Sequence, residues 1–179
     1  MFRGPLLWLA ILMLSGHPAL LIGPFAAENS SSTSTPHSPS PTQAVESTPD
    51  AEAERQLFDL VNRARSAAGA PPLEMDTGLT RAARAHAEEM ATQQCLSHQF
   101  PDEPSLLQRL SKNSNLHLDG AAENVAYAAT VEQVQDVLMH SPPHRENLLN
   151  PSYNVGGFSV VRSASVLYVA EDFAHRRTP

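Results

Sequence analysis

Disulfide chemistry is all but absent from this chain, because its 179 residues include a single cysteine, Cys95, far inside the sequence. One cysteine can neither close an intramolecular disulfide nor act as a lipid attachment point beside an export signal, so an exported domain of this sequence has to rely on its core. Positive charge is scarce as well: 12 Lys and Arg stand against 19 Asp and Glu, a formal charge of -7, and the basic residues form no run. Without a basic patch to neutralise phosphates, nucleic acid is excluded as a partner. Aromatic residues amount to 6%, and the one tryptophan, Trp8, lies in the N-terminal segment. Apolar content is nonetheless 41%, enough for the core of one ordinary domain.

Long hydrophobic runs occur only at the N-terminus, in "MFRGPLLWLAILMLSGHPALLIGPFAA". One basic residue, Arg3, precedes an apolar stretch from Leu6 to Leu14, followed by small residues and prolines, which is the pattern of an export signal. The run spans a membrane only if it continues past Gly16, His17 and Pro18 to Ile22. Residues 1–27 are therefore read as a signal peptide, with an uncleaved anchor as the alternative and the only membrane contact. Secretion to the extracellular or periplasmic space follows. Residues 28–50, "ENSSSTSTPHSPSPTQAVESTPD", have one Val and one Ala as their only aliphatic side chains and are expected to be a disordered Ser/Thr/Pro-rich linker. "NSS" at Asn29 fits an N-glycosylation acceptor in a eukaryotic secretory route. The folded domain is placed at 51–179. Setting aside Glu28, Glu46, Asp50 and Arg3 leaves it 16 acidic and 11 basic residues, a net charge of -5.

Within that domain, Leu57, Val61, Ala64 and Ala68 recur at helical spacing and predict a first helix ending near Gly69. Leu79, Ala83, His86 and Met90 repeat the spacing over about 77–92, "PSLLQRL" at 104–110 predicts a short third helix, and Val131, Val134 and Leu138 mark a fourth. The last forty residues change period. "NVGGFSVV" (154–161) and "SVLYVAEDFA" (165–174), joined through "RSA", predict a C-terminal antiparallel β-hairpin. Helices first and antiparallel strands after give an α+β or layered α-β-α domain.

The stretch "HSPPHRENLLNPSY" (140–153) places His140 and His144 four apart with Pro142 and Pro143 between them. The prolines stop the preceding helix near His140, so the two histidines do not share a helix face. Proline suits the first turn of a new helix, with Ser141 as its N-cap and the serine hydroxyl expected to accept the His144 amide. There the helix dipole disfavours imidazolium by about 1 kcal/mol. A neutral imidazole is what a metal ligand or general base requires.

Taken together, "SPPHRENLLNPSYNVGGFSVV", "LVNRARSAAGAPPLEMDTGLTRAARAHAEEMA" (60–91), "LSHQ" (96–99), "ENVAY" (123–127) and "YVAEDFA" (168–174) resemble the bacterial version of the CAP domain. CAP is also known as the SCP or sperm-coating-protein-like domain, and groups cysteine-rich secretory, antigen 5 and pathogenesis-related 1 proteins. The resemblance spans about 54–174 and implies a three-layer α-β-α sandwich with a cleft where two histidines and acidic residues meet. His98, Glu123 and His144 match those positions, and Ser141 stands where many eukaryotic members carry a further Glu.

Two imidazoles and one carboxylate can hold Zn²⁺ or another divalent cation with a position open to water. Alternatively, Glu123 acts as a base on water with the histidines as electrophilic partners, or the three form a hydrogen-bonded polar cluster that holds loops in place. "HAEEM" lacks the second histidine of a zincin motif, and no nucleophile elbow is present. His86 is expected to be a hydrogen-bonded core histidine, Cys95 a small buried hydrophobe, and Glu171, in phase with Leu167, Val169 and Phe173, a carboxylate paired with a buried donor or reaching the cleft. The expected function is a monomeric, non-enzymatic extracellular module binding a ligand, lipid or protein partner, with a metal- or Glu/His-dependent hydrolase as the alternative.

Overall fold

The computed structural model describes residues 47–177. The N-terminal signal or anchor, Asn29, His17, His37 and Trp8, and the linker up to residue 46, lie outside the described residues. The linker's last residues do not behave as their composition suggests. Ser47–Pro49 forms an edge strand, β1, paired antiparallel to Pro49↔Val161 and Ser47↔Ser163. Asp50 then donates its amide to Val160 and accepts the Ala53 amide at 3.0 Å, capping the first helix. Main-chain pairing and a cap hold this segment, and neither leaves a hydrophobic signature. Proline is tolerated there because the strand lies at an edge.

Helix α1 (Ala51–Ala67) buries Leu57 and Val61, but its stripe turns to Arg65, while Ala68 is exposed. A two-residue strand, β2 (Glu74–Met75), leads into α2 (Thr77–Gln93), whose Asp76 cap accepts the Leu79 amide at 2.8 Å and which buries Leu79, Ala83, His86 and Met90 as predicted. Helix α3 runs Leu106–Asn113, two residues later than expected, because Ser105 starts it: the Gln108 side chain accepts the Ser105 amide at 3.1 Å. Then come β3 (Leu118–Ala128), α4 (Val131–His140), α5 (Pro142–Leu149), β4 (Val155–Ser163) and β5 (Val166–Arg176).

The sheet order is β1-β4-β5-β3, with β2 parallel to β4. The expected hairpin is β4–β5, turned by Ala164 and Ser165 with Ser163 opposite Val166. One face of the sheet carries Ala126, Phe158, Val160, Leu167, Val169 and Phe173 against α1, α4 and α5. The opposite face carries Val125, Val161, Tyr168 and Ala170 against α2, and Val155 and Ala174 against α2 and α3. These are the three layers of an α-β-α sandwich, and the period-two alternation of β5 decides which layer each side chain joins. Gly157 sets the spacing on the α2 side: a Cβ there would lie 2.2 Å from the Leu79 carbonyl carbon, so only glycine lets the start of α2 rest on the strand. Among the described residues no helix is long and apolar enough to cross a membrane.

Candidate functional site

The prolines act as the sequence implies. Helix α4 ends at His140, and α5 restarts with Pro142 and Pro143 in its first turn. His140 stays on α4, exposed, its Nδ1 2.8 Å from the Asp136 carbonyl. Ser141 is the N-cap, with an extended backbone (φ -94°, ψ 113°), but its hydroxyl makes no capping bond. Two of the first amides are absent by virtue of proline, so the helix begins without that cap, on the Arg145 amide donating to the Ser141 carbonyl at 2.8 Å.

His144 is half-buried in this first turn, and its Nδ1 is buried without a hydrogen-bond partner. Burial, and next the charge of the His98 imidazole, hold it below the ordinary histidine pKa. The neutral form expected from the helix start is therefore reached, but desolvation is its main cause. His98, in the loop after α2, has a side chain 56% exposed, and its Nδ1 lies 3.0 Å from Glu123 Oε2. Glu123 sits on β3 with 3% of its side chain exposed. The structure thus joins His98 to Glu123 directly and sets His144 within reach of the field of His98.

Glu123 is also tied to partners that sequence reasoning did not find. Arg109, on α3 and buried, donates from Nη2 to Glu123 Oε1 and from Nη1 to Glu103 Oε1 at 2.6 Å. His86, fully buried on α2, has Nδ1 2.7 Å from the same Glu103 oxygen and Nε2 2.7 Å from the Ser97 carbonyl, with Glu123 Oε2 3.7 Å from Nε2. It is the hydrogen-bonded core histidine expected. Burial pushes the Glu103 carboxyl up, but the hydrogen bonds from Arg109 and His86 outweigh it and hold it below its usual range. Opposite Glu123 in register stands Asp172, buried and raised well above the usual range by burial and then by the charge of Glu123, against the pull of Arg109. The only available hint to Arg109 was its place on the apolar side of a short helix.

The next pair in the register, Asn124 and Glu171, faces the other layer. Asn124 Nδ2 donates to Glu171 Oε2 and to the His144 carbonyl, each at 3.1 Å, and Asn147 donates to Asn124 Oδ1 at 2.9 Å. Asn124 is the buried donor anticipated for Glu171, and it fastens α5 to the sheet. Glu171 Oε1 has no partner, and burial raises its carboxyl to about 8. Cys95 is exposed rather than buried, because α2 has ended at Gln93 and the left-handed Gln94 (φ 52°) turns the chain outward.

Both Glu123 oxygens are engaged within the protein, one by Arg109 and one by His98, and the side chain is 3% exposed. Among the described residues no group of three His, Cys, Asp or Glu is arranged to hold a metal ion. His98 has Glu123 behind it as an acceptor of the kind that orients metal-bound imidazoles, and the Nδ1 of His144 has no partner within the protein. Surface concavities lie between the 101–104 loop and α3, at the α4–α5 corner, and between α1 and the start of α4; none of these three is lined by His98, Glu123 or His144. The cluster is a half-open surface patch over a buried ionic base.

The chain is 30% identical over 144 residues to the YkwD protein of Bacillus subtilis, covering 79% of this chain and 56% of that one. A Bacillus anthracis extracellular protein containing an SCP domain superposes with a TM-score of 0.63 at 25% identity, over 70% of this chain and 41% of that one. A cysteine-rich secretory protein of Staphylococcus aureus does so with 0.57 at 28% identity, over 70% and 38%. This chain thus spans about half or less of the length of these relatives. Residues 58–173 match the model of the cysteine-rich secretory protein family, CAP. With the sandwich, the Pro-Pro restart and the His98–Glu123 contact in place, the chain belongs to the CAP family, of which it is a member with one cysteine.

Proposed function

We propose that this domain is an extracellular, non-enzymatic binding module whose recognition surface is centred on His98 and His144. The observation that carries this reading is the state of Glu123: Arg109 engages one carboxylate oxygen and His98 the other. A general base must come within reach of the proton it takes, and this carboxylate is 3% exposed, with Arg109 on one oxygen and His98 on the other. The two imidazoles remain, one exposed and one kept neutral, next to an ionic base that fixes their positions. Such a surface suits a ligand or protein partner offering carbonyl or hydroxyl groups to the imidazoles, or a divalent cation held by His98 and His144 with water completing its shell. If a cation binds, it supplies Lewis acidity at the patch; Glu123 keeps the Nδ1 proton of His98 in place. Export to the extracellular side, through the N-terminal segment, is supported by the extracellular SCP-domain relative.

Two measurements test the reading. In an NMR titration of the purified protein with Zn²⁺, the imidazole signals of His98 and His144 are expected to shift together; no change at either removes the cation from the proposal. Separately, peptide and glycan polymers are expected to remain uncleaved. Hydrolysis that both Glu123→Gln and His144→Ala abolish would replace the binding module with an enzyme.

A further inference from the structure

Arg109, Glu103, Glu123 and His86 form a closed ring. Arg109 bridges the two carboxylates from one side; on the other, His86 contacts Glu103 at 2.7 Å and approaches Glu123 to 3.7 Å while its Nε2 is hydrogen-bonded to the Ser97 carbonyl. The ring joins four separate parts of the chain: α2, the 98–104 loop, α3 and β3. His98 attaches at 3.0 Å to Glu123 Oε2, the same oxygen that His86 approaches. Two carboxylates and an imidazole are residue types that divalent transition metals accept, but held around a guanidinium they are not arranged as a metal site. At the point where those carboxylates converge, the chain places a guanidinium.

We propose that Arg109 is the resident cation of this centre: it occupies, between Glu103 and Glu123, the position a divalent metal would take, and so excludes metal from the carboxylate side of the patch. Three properties make it effective there. The guanidinium does not lose its proton in proteins, so the charge is permanent. Its planar fork reaches one oxygen on each carboxylate simultaneously. And because it is covalently part of α3, its local concentration at the site far exceeds that of a free ion, which has to displace it to bind. Removing it leaves the buried Glu123 and the partly buried Glu103 with only the imidazoles of His86 and His98 beside them, a state that either unfolds the region or recruits another cation.

The test is Co²⁺ binding to the full chain, purified in EDTA and then desalted, followed by visible absorption and calorimetry. The wild type is expected to bind Co²⁺ equally well, within about twofold, with and without Glu103→Gln, because that carboxylate is not a ligand. Arg109→Met is expected to bind Co²⁺ at least about tenfold more tightly than the wild type, a gain that adding Glu103→Gln abolishes. A wild type that loses about tenfold in affinity through Glu103→Gln, or a folded Arg109→Met without a gain, overturns the proposal. If Arg109→Met is unfolded in EDTA, recovery of its far-ultraviolet circular dichroism on adding Co²⁺ supports the proposal, and no recovery overturns it. The decisive comparison is the gain from Arg109→Met and its loss with Glu103→Gln, which any wild-type affinity at His98 and His144 leaves unchanged, so the binding-module reading stands or falls separately.

Discussion

Glu171 is a residue whose ionisation works against the fold. Its carboxyl is raised from 4.5 to about 8 by burial, so the folded state holds a proton that the unfolded state releases above 4.5. For an acid shifted upward, the stabilisation is present below the unfolded pKa and is lost as pH rises through the folded one. The wild type should therefore lose on the order of a few kcal/mol between pH 5 and pH 8. Glu171→Gln, which cannot ionise, should lose much less; urea unfolding of both proteins at the two pH values checks this. Equal losses would show that Glu171 is not the source. His144 acts in the opposite direction. Its lowered pKa favours the fold above the usual 6.5 and penalises it as pH falls below that value.

Arg65 shows what a side chain without a carboxylate partner can do in the interior. It is fully buried, and its guanidinium donates to the carbonyls of Pro71, Leu148, Asn150 and Tyr153 at 2.8 to 3.0 Å. Two of those carbonyls belong to the end of α5, where the helix dipole is negative. Arg65→Met keeps the stem but leaves four acceptors unpaired, so a loss of about 3 kcal/mol or more is expected in thermal or urea unfolding, with α5 the first segment to lose amide-exchange protection. The sequence gives no sign of this role. Arg65 falls on the stripe of α1, but an arginine there looks like a solvated neighbour of Ala64 until the folded α5 supplies the carbonyls.

At the level of elements, legibility followed the strength of the local signal. Helices α1, α2 and α4 have three or four apolar residues at helical spacing and clear caps at Asp50, Asp76 and Thr130, so their extents are close to those expected. The proline restart and the β4–β5 hairpin were legible for the same reason. Strand β3 was not: "LDGAAENVAYA" is rich in Ala, Gly and acidic residues, and is a strand because β5 pairs with it along its length. Since β3 carries Glu123 and Asn124, the polar half of the site was visible only as a family motif.

The hairpin turn offers an element-scale test. Ala164 has φ 51° in a two-residue connection, a left-handed backbone that suits Gly or Asn better than alanine. Ala164→Gly relieves that strain, partly offset by the added freedom of the unfolded chain, and is expected to raise stability by about 0.5 kcal/mol. A lower urea midpoint would show that the turn is unstrained.

Across the whole molecule, the three-layer core does the work that disulfides do in many small secreted domains. The thermal midpoint should be the same within error with and without a strong reductant, because there is no cross-link to break; a large drop would reveal a covalent tie that the fold does not contain. Under oxidising conditions the one change expected on a non-reducing gel is a band at twice the mass, absent after Cys95→Ser. The same thiol lies outside the core, three positions ahead of His98, and is the single thiol of the 179 residues. A fluorophore or spin label attached there would have one address only, three residues from His98, and would test without any engineering of the surface whether a molecule docks at the proposed imidazole patch.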